Sequence, residues 1–186
     1  MKRIFDFSAS LLLLLMLFPL ISLIALAIKL TSKGPVLYWS ERVGKHNKVF
    51  MMPKFRTMIL NAPTLPTRYL ESPENYLTPV GPFLRKASLD ELPQLYSILK
   101  GDMTFVGPRP VLTNEEELLV LRNKAGIHLY IPGMTGWAQI NGRDSVLMED
   151  KVALEKEYMK KQSFIFDVYI FLKTIPKVLF KDDITH

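Results

Sequence analysis

Residues 11–28 are Leu, Ile, Ala, Phe or Met at all but two of eighteen positions, the exceptions being Pro19 and Ser22. As a helix rising 1.5 Å per residue, the run covers about 27 Å, just short of the roughly 30 Å hydrocarbon core of a bilayer. A cleaved signal peptide is one reading, since Lys2 and Arg3 precede the run and Ala25-Leu26-Ala27 resembles a small-x-small cleavage site; the apolar stretch, however, exceeds a usual signal core. A spanning helix is the second, and it is opposed by basic residues on both sides: Lys2 and Arg3 before, Lys29, Lys33, Arg42, Lys45 and Lys48 after, so neither end favours translocation. In the third, the segment enters the bilayer, turns near Pro19 and returns to the same face, because a mid-helix proline removes one hydrogen bond and clashes with the carbonyl four residues back. This third reading is the expectation: residues 1–33 as a re-entrant membrane helix and residues 34–186 as the domain beside it.

At 186 residues the chain has room for one domain and a short extra segment. Its 24 Lys and Arg against 18 Asp and Glu leave +6, which favours an anionic partner without choosing among nucleic acid, lipid headgroup and phosphorylated substrate. With no cysteine, disulfides, thiolate nucleophiles, zinc knuckles and iron–sulfur ligation are excluded. The histidines are His46, His128 and His186, so a three-histidine zinc site would need all of them.

Residues 36–42 and 49–52 are rich in β-formers around Gly44-Lys45-His46-Asn47, which predicts a β-hairpin continued by residues 54–58. Residues 61–82 carry five prolines without periodicity and read as a long irregular loop. Helices are expected over 90–100, closed by Gly101, and over 114–124 and 146–161. Between residues 160 and 181, Lys160, Ser163, Asp167, Lys173, Thr174, Lys177 and Lys181 fall within a helical sector of about 140°, with apolar residues filling the rest. That pattern suits either an interfacial amphipathic helix bent at Pro176 or a helix packed on the core. The class is therefore α+β, a mostly helical small domain with a β-hairpin.

Ser88 and Glu91 stand three apart in the capping-box pattern, which would put Asp90 and Glu91 in a helix's first turn, with Arg85 and Lys86 just upstream; Pro93 argues for a slightly later start. An ionised aspartate there can attack phosphorus or bind a divalent cation, although a merely well-capped helix has the same pattern. In Gly107-Pro108-Arg109-Pro110 the two prolines stiffen the turn that presents an arginine, as phosphate binding favours. In Pro132-Gly133-Met134-Thr135-Gly136-Trp137-Ala138-Gln139-Ile140-Asn141-Gly142-Arg143 the glycines permit close backbone approach to a ligand, Trp137 can pack on a base or sugar, and Gln139, Asn141 and Arg143 offer directional donors. The segment lacks the Gly-Lys-Ser/Thr ending of a Walker A loop.

Together with Ser88-Leu89-Asp90-Glu91-Leu92-Pro93-Gln94 and Lys100-Gly101-Asp102-Met103, these segments resemble, in order and spacing, the bacterial sugar transferase family of monotopic phosphoglycosyl transferases. The resemblance runs from the apolar N-terminal segment to about Asp167. It implies transfer of a sugar 1-phosphate from a UDP-sugar to polyprenyl phosphate at the cytoplasmic face of the bacterial inner membrane, with Mg²⁺ as cofactor and phospholipid as surroundings. Asp90 would be the nucleophile and Glu91 its partner, both near the metal. Arg85, Arg109 and Lys54 match basic positions near the phosphates, and Gln139 and Arg143 match the segment bordering the nucleotide-sugar. One departure is Phe18-Pro19 where short family members carry Ser-Pro, which removes a hydroxyl able to bond a carbonyl freed by the proline. Two other classes compete: a metal-dependent phosphohydrolase on the same carboxylates, and a membrane-anchored nucleic-acid or anionic-lipid binding module. Nucleic acid is disfavoured because Lys and Arg are spread along the chain instead of interleaving with aromatics.

Overall fold

A computed structural model describes residues 2–63, 72–142 and 147–179. The chain opens with helix α1 (Lys2–Thr31), followed by strands β1 (Leu37–Val43) and β2 (Val49–Phe55) and the short helices α2 (Gly81–Lys86) and α3 (Gln94–Lys100). Then come β3 (Thr104–Val106), β4 (Val111–Leu112), α4 (Glu116–Lys124), β5 (Gly133–Thr135), α5 (Trp137–Asn141), α6 (Met148–Lys161) and α7 (Phe164–Leu179). The expected hairpin is present: β1 and β2 pair antiparallel, and β4 adds to the other edge of β1. Arg42, Ser40 and Tyr38 lie opposite Phe50, Met52 and Lys54, so these six share one face. Phe50 and Met52 carry that face into a core with Leu95, Ile98, Met103, Tyr158 and Ile170.

α1 is longer than the apolar run that announces it and continues past Pro19 as one helix. Its first turns are fastened to the domain by charge. Lys2 Nζ donates to the Val106 carbonyl (2.7 Å) and the Tyr158 hydroxyl (3.2 Å), and pairs with Asp167 (2.6 Å). Arg3 donates to the Ile98 and Leu99 carbonyls at 2.6 and 2.7 Å, capping the C-terminal end of α3, where a cation also meets the negative end of the helix dipole. Buried Asp6 accepts from Thr104 Oγ1 at 2.7 Å. Farther along, Leu13, Leu14 and Leu17 pack on the main core, and Ile24 and Ile28 join Phe55 and Leu84 in a second cluster. Past the helix end, buried Arg56 bonds the Pro35 and Ser32 carbonyls at 2.6 and 3.2 Å. Both ends of α1 are thus tied to one body, while Leu12, Leu15, Met16, Phe18, Leu23 and Leu26 are exposed.

α7 repeats this inversion. The sequence places Asp167 and Thr174 on its polar stripe, and that stripe faces the protein: Asp167 accepts from Tyr158, and Thr174 Oγ1 lies 2.7 Å from Thr135 Oγ1. Phe164, Ile165, Val168, Phe171, Leu172 and Ile175 point outward, and Phe164 meets Phe5 of α1 edge to face. The outer faces of α1 and α7 therefore adjoin in one apolar surface.

The glycine-rich segment serves the backbone. β5 pairs parallel with β3, and a Cβ on Gly133 would lie 2.1 Å from the Gly107 nitrogen, one on Gly136 2.1 Å from the Gly107 carbonyl oxygen. The glycines admit a neighbouring chain segment, where the sequence suggested a ligand. Gly133→Ala is expected to destabilise the fold by about 2–3 kcal/mol or block folding, since backbone atoms cannot yield as side chains do; thermal unfolding in detergent or nanodiscs measures it.

Candidate active site

Asp90 and Glu91 lie in a 3₁₀ turn, Leu89–Glu91, that precedes α3. The predicted capping box does not form: Ser88 takes the left-handed conformation (φ 54°) with no side-chain cap, and α3 begins only at Gln94 behind Pro93. Leu89 and Leu92 both turn into the cluster of Ile24, Ile28, Phe55 and Leu84. An α-helical turn spaces such residues by three or four as well, but here Pro93 follows at once and delays the helix. The carboxylate turn is therefore anchored to the second half of α1, and Gly101 closes α3 at φ 102°, as the sequence predicts.

Lys54, near the end of β2, donates to Glu91 at 2.7 Å, and Arg109 Nη2 stands 3.7 Å from the same carboxylate oxygen. Arg42 completes the cleft: Arg42, Lys54, Glu91, Gln94 and Arg109 line it together. Three cations thus face Glu91 at partial burial, a positive excess suited to a polyanion. Burial and the neighbouring Arg109 lower the Arg42 pKa to about 10, which leaves it charged at neutral pH. Arg42 was not singled out in the sequence, although hairpin alternation with Lys54 carries the signal.

Asp90 is buried. Burial lowers the pKa of nearby Arg85 while Asp90 raises it, and Arg85 Nε donates to Thr57 Oγ1 at 3.0 Å. Gln139 is placed apart from the cleft, its side-chain amide buried and unbonded among the described residues, against Gly136. Trp137 serves the core, donating to Glu157 at 2.9 Å and packing on Phe166, and Asn141 bonds its own helix at the Trp137 carbonyl. Arg143 lies outside the described residues.

Residues 1–181 match the family described as bacterial sugar transferase. The chain belongs to that family. It is 41% identical over 190 residues to the undecaprenyl-phosphate glucose phosphotransferase of Komagataeibacter xylinus, covering 96% of this chain and 36% of that protein. It is 39% identical to the uncharacterized sugar transferase EpsL of Bacillus subtilis, covering 99% and 90% of the two chains. It is also 39% identical to the UDP-glucose:undecaprenyl-phosphate glucose-1-phosphate transferase of Escherichia coli, covering 95% and 40%. This family member therefore spans well under half the length of the first and third of these relatives, and nearly all of the second.

The clustered cations predict that inorganic pyrophosphate binds and raises the thermal midpoint. Arg42→Ala is expected to weaken that binding about tenfold, the loss of roughly 1.5 kcal/mol from one hydrogen bond to a charged group; titration calorimetry at low salt reads it directly.

Proposed function

We propose that the protein transfers a sugar 1-phosphate from a UDP-sugar to polyprenyl phosphate at the cytoplasmic face of the bacterial inner membrane. The observation carrying this reading is the Asp90–Glu91 turn, anchored to α1, with Arg42, Lys54 and Arg109 around Glu91 and Arg85 beside Asp90. Family membership and relatives named for undecaprenyl-phosphate sugar transfer support it.

In this mechanism the three cations hold the donor diphosphate and neutralise its charge. A carboxylate oxygen of Asp90 attacks the β-phosphorus, the bond to the bridging oxygen breaks, and UMP leaves with that oxygen. A phosphate oxygen of the lipid then attacks the same phosphorus and displaces the Asp90 carboxylate, giving the diphosphate-linked lipid sugar. Arg85 offsets charge beside Asp90, and Lys54 orients Glu91.

No group of three or more His, Asp or Glu residues able to ligate a metal occurs among the described residues. The hard-oxygen pair Asp90 and Glu91 nevertheless fits Mg²⁺, which is commonly held by one or two carboxylates and completed by water and substrate phosphates. When bound there, Mg²⁺ supplies further neutralisation of the diphosphate. Arg143 borders the nucleotide-sugar in this reading, whereas Gln139, its amide buried against Gly136, does not.

The outward apolar faces of α1 and α7 support immersion in the phospholipid, and the tethering of both ends of α1 to one domain supports entry and exit on the same face, by a helix that shows no break at Pro19. A span would pull apart ends that are bonded to the same body.

Donor alone is expected to add one phosphosugar to the protein at Asp90, detected by mass spectrometry, and Asp90→Asn to abolish both adduct and UMP release. Phosphate release with water as the sole acceptor would instead favour the phosphohydrolase. For topology, cysteines added ahead of Met1 and at Lys33→Cys, in a chain with none of its own, are both expected to resist an impermeant thiol reagent in intact cells; labelling of the first alone indicates a span.

A further inference from the structure

Arg122 of α4 and Glu155 of α6 form a buried ion pair beside the Arg109 turn. Their side chains are 8% and 2% exposed. Arg122 Nε donates to Glu155 Oε2 at 2.8 Å, and Nη2 bonds the other carboxylate oxygen. The remaining terminal nitrogen, Nη1, donates to the main-chain carbonyl of Arg109 at 2.7 Å. The Arg109 backbone amide also favours the ionised Glu155 carboxylate.

Arg122, itself held by Glu155, therefore fixes the main-chain carbonyl of the residue whose guanidinium stands beside Glu91. Arg42 Nη1 donates to the next carbonyl, that of Pro110, at 3.2 Å. Pro108 and Pro110 restrict this turn, but they do not fix where it sits relative to the cleft. Burying such a pair gives little net stability compared with apolar residues of similar volume. Stability alone is thus a weak account of it, whereas its bonds to Arg109 are directional.

We infer that Arg122 and Glu155 are positioning residues that hold the Arg109 backbone so that its guanidinium meets the donor diphosphate. The inference rests on the proposed phosphate role of Arg109. Burial raises the Glu155 pKa, while Arg122 and the Arg109 N–H pull it down, consistent with a carboxylate whose ionised form depends on both contacts.

The test is a thermodynamic cycle with UDP as the probe, on full-length protein in nanodiscs. Replacing the pair by Arg122→Met with Glu155→Leu is expected to keep the thermal midpoint, because apolar replacement of a buried pair is often neutral or stabilising. UDP affinity should fall about tenfold, comparable to a lost hydrogen bond to a charged group. In an Arg109→Ala background the same replacement should cost nothing further, a non-additivity that a purely structural role would not produce. If the replacement fails to fold, Arg122→Lys serves instead. It retains charge but lacks the planar fork that reaches carboxylate and carbonyl together, and the same affinity loss and non-additivity are expected. Wild-type UDP affinity in the folded pair variants, with Arg109→Ala impaired, would overturn the inference and leave the phosphate reading standing. Unimpaired binding by Arg109→Ala would overturn both.

Discussion

Several polar side chains of α1 and α7 turn into the protein, and many of their leucines, isoleucines and phenylalanines turn out. Lys2, Asp6, Asp167 and Thr174 find partners on β3, α6 and β5. In water this arrangement would expose a contiguous apolar surface far larger than single scattered residues, which soluble monomers avoid. Beside hydrocarbon it is favourable twice over: the polar groups are satisfied inside, and the apolar ones meet a solvent of their own kind. α3, β3, α5 and β5 pack against the inner faces of these two helices.

That inversion fixes where the chemistry can sit. Leu89 and Leu92 join α1 through Ile24 and Ile28, so the turn bearing Asp90 and Glu91 is held at the helix flank. The hairpin reaches it from the other direction, since Phe50 and Met52 enter the core and the same strand face ends at Lys54 with Arg42 across the sheet. Arg109 arrives on the crossing of β3 and β5, which only Gly107, Gly133 and Gly136 allow at that separation. Three independent packing demands thus converge on one cleft, and none of them depends on a ligand being there.

The sequence reveals this unevenly, and the differences have physical causes. The apolar run, the hairpin, the Gly101 stop and the outlines of α4 and α6 follow from local periodicity and turn chemistry, so they are legible. α1 extends nine residues before the run because Lys2, Arg3 and Asp6 find partners far away in the chain, a fact no window of sequence contains. The Ser88 capping box fails because Pro93 cannot sit inside a helix begun at Ser88, so α3 starts only behind it. Trp137 looks available to a ligand until α6 and α7 fold over it. Arg42 escapes notice because its meaning lies in cross-strand register, although Arg42 and Lys54 both fall on the strand face that Phe50 and Met52 mark as inward.

The hydroxyl of Tyr158 shows how closely the helices with outward apolar faces and the strand leading to the cleft are joined. It donates to Asp167 at 2.7 Å, receives Lys2 at 3.2 Å and lies 3.1 Å from the Val106 carbonyl, so α1, α6, α7 and β3 share one polar node. Burial and the Asp167 carboxylate raise the phenol's pKa, which keeps it a neutral donor throughout the working pH range. Val106 is followed directly by Gly107-Pro108-Arg109. A shift of α1 or α7 relative to the domain would therefore load the strand that carries Arg109, and the ion pair of Arg122 and Glu155 grips that residue's backbone carbonyl. The outer apolar faces and the cleft are in this way mechanically continuous: α1 bonds Thr104, Phe105 and Val106, α7 meets Phe105 through Phe171, and the Arg109 turn follows this strand directly.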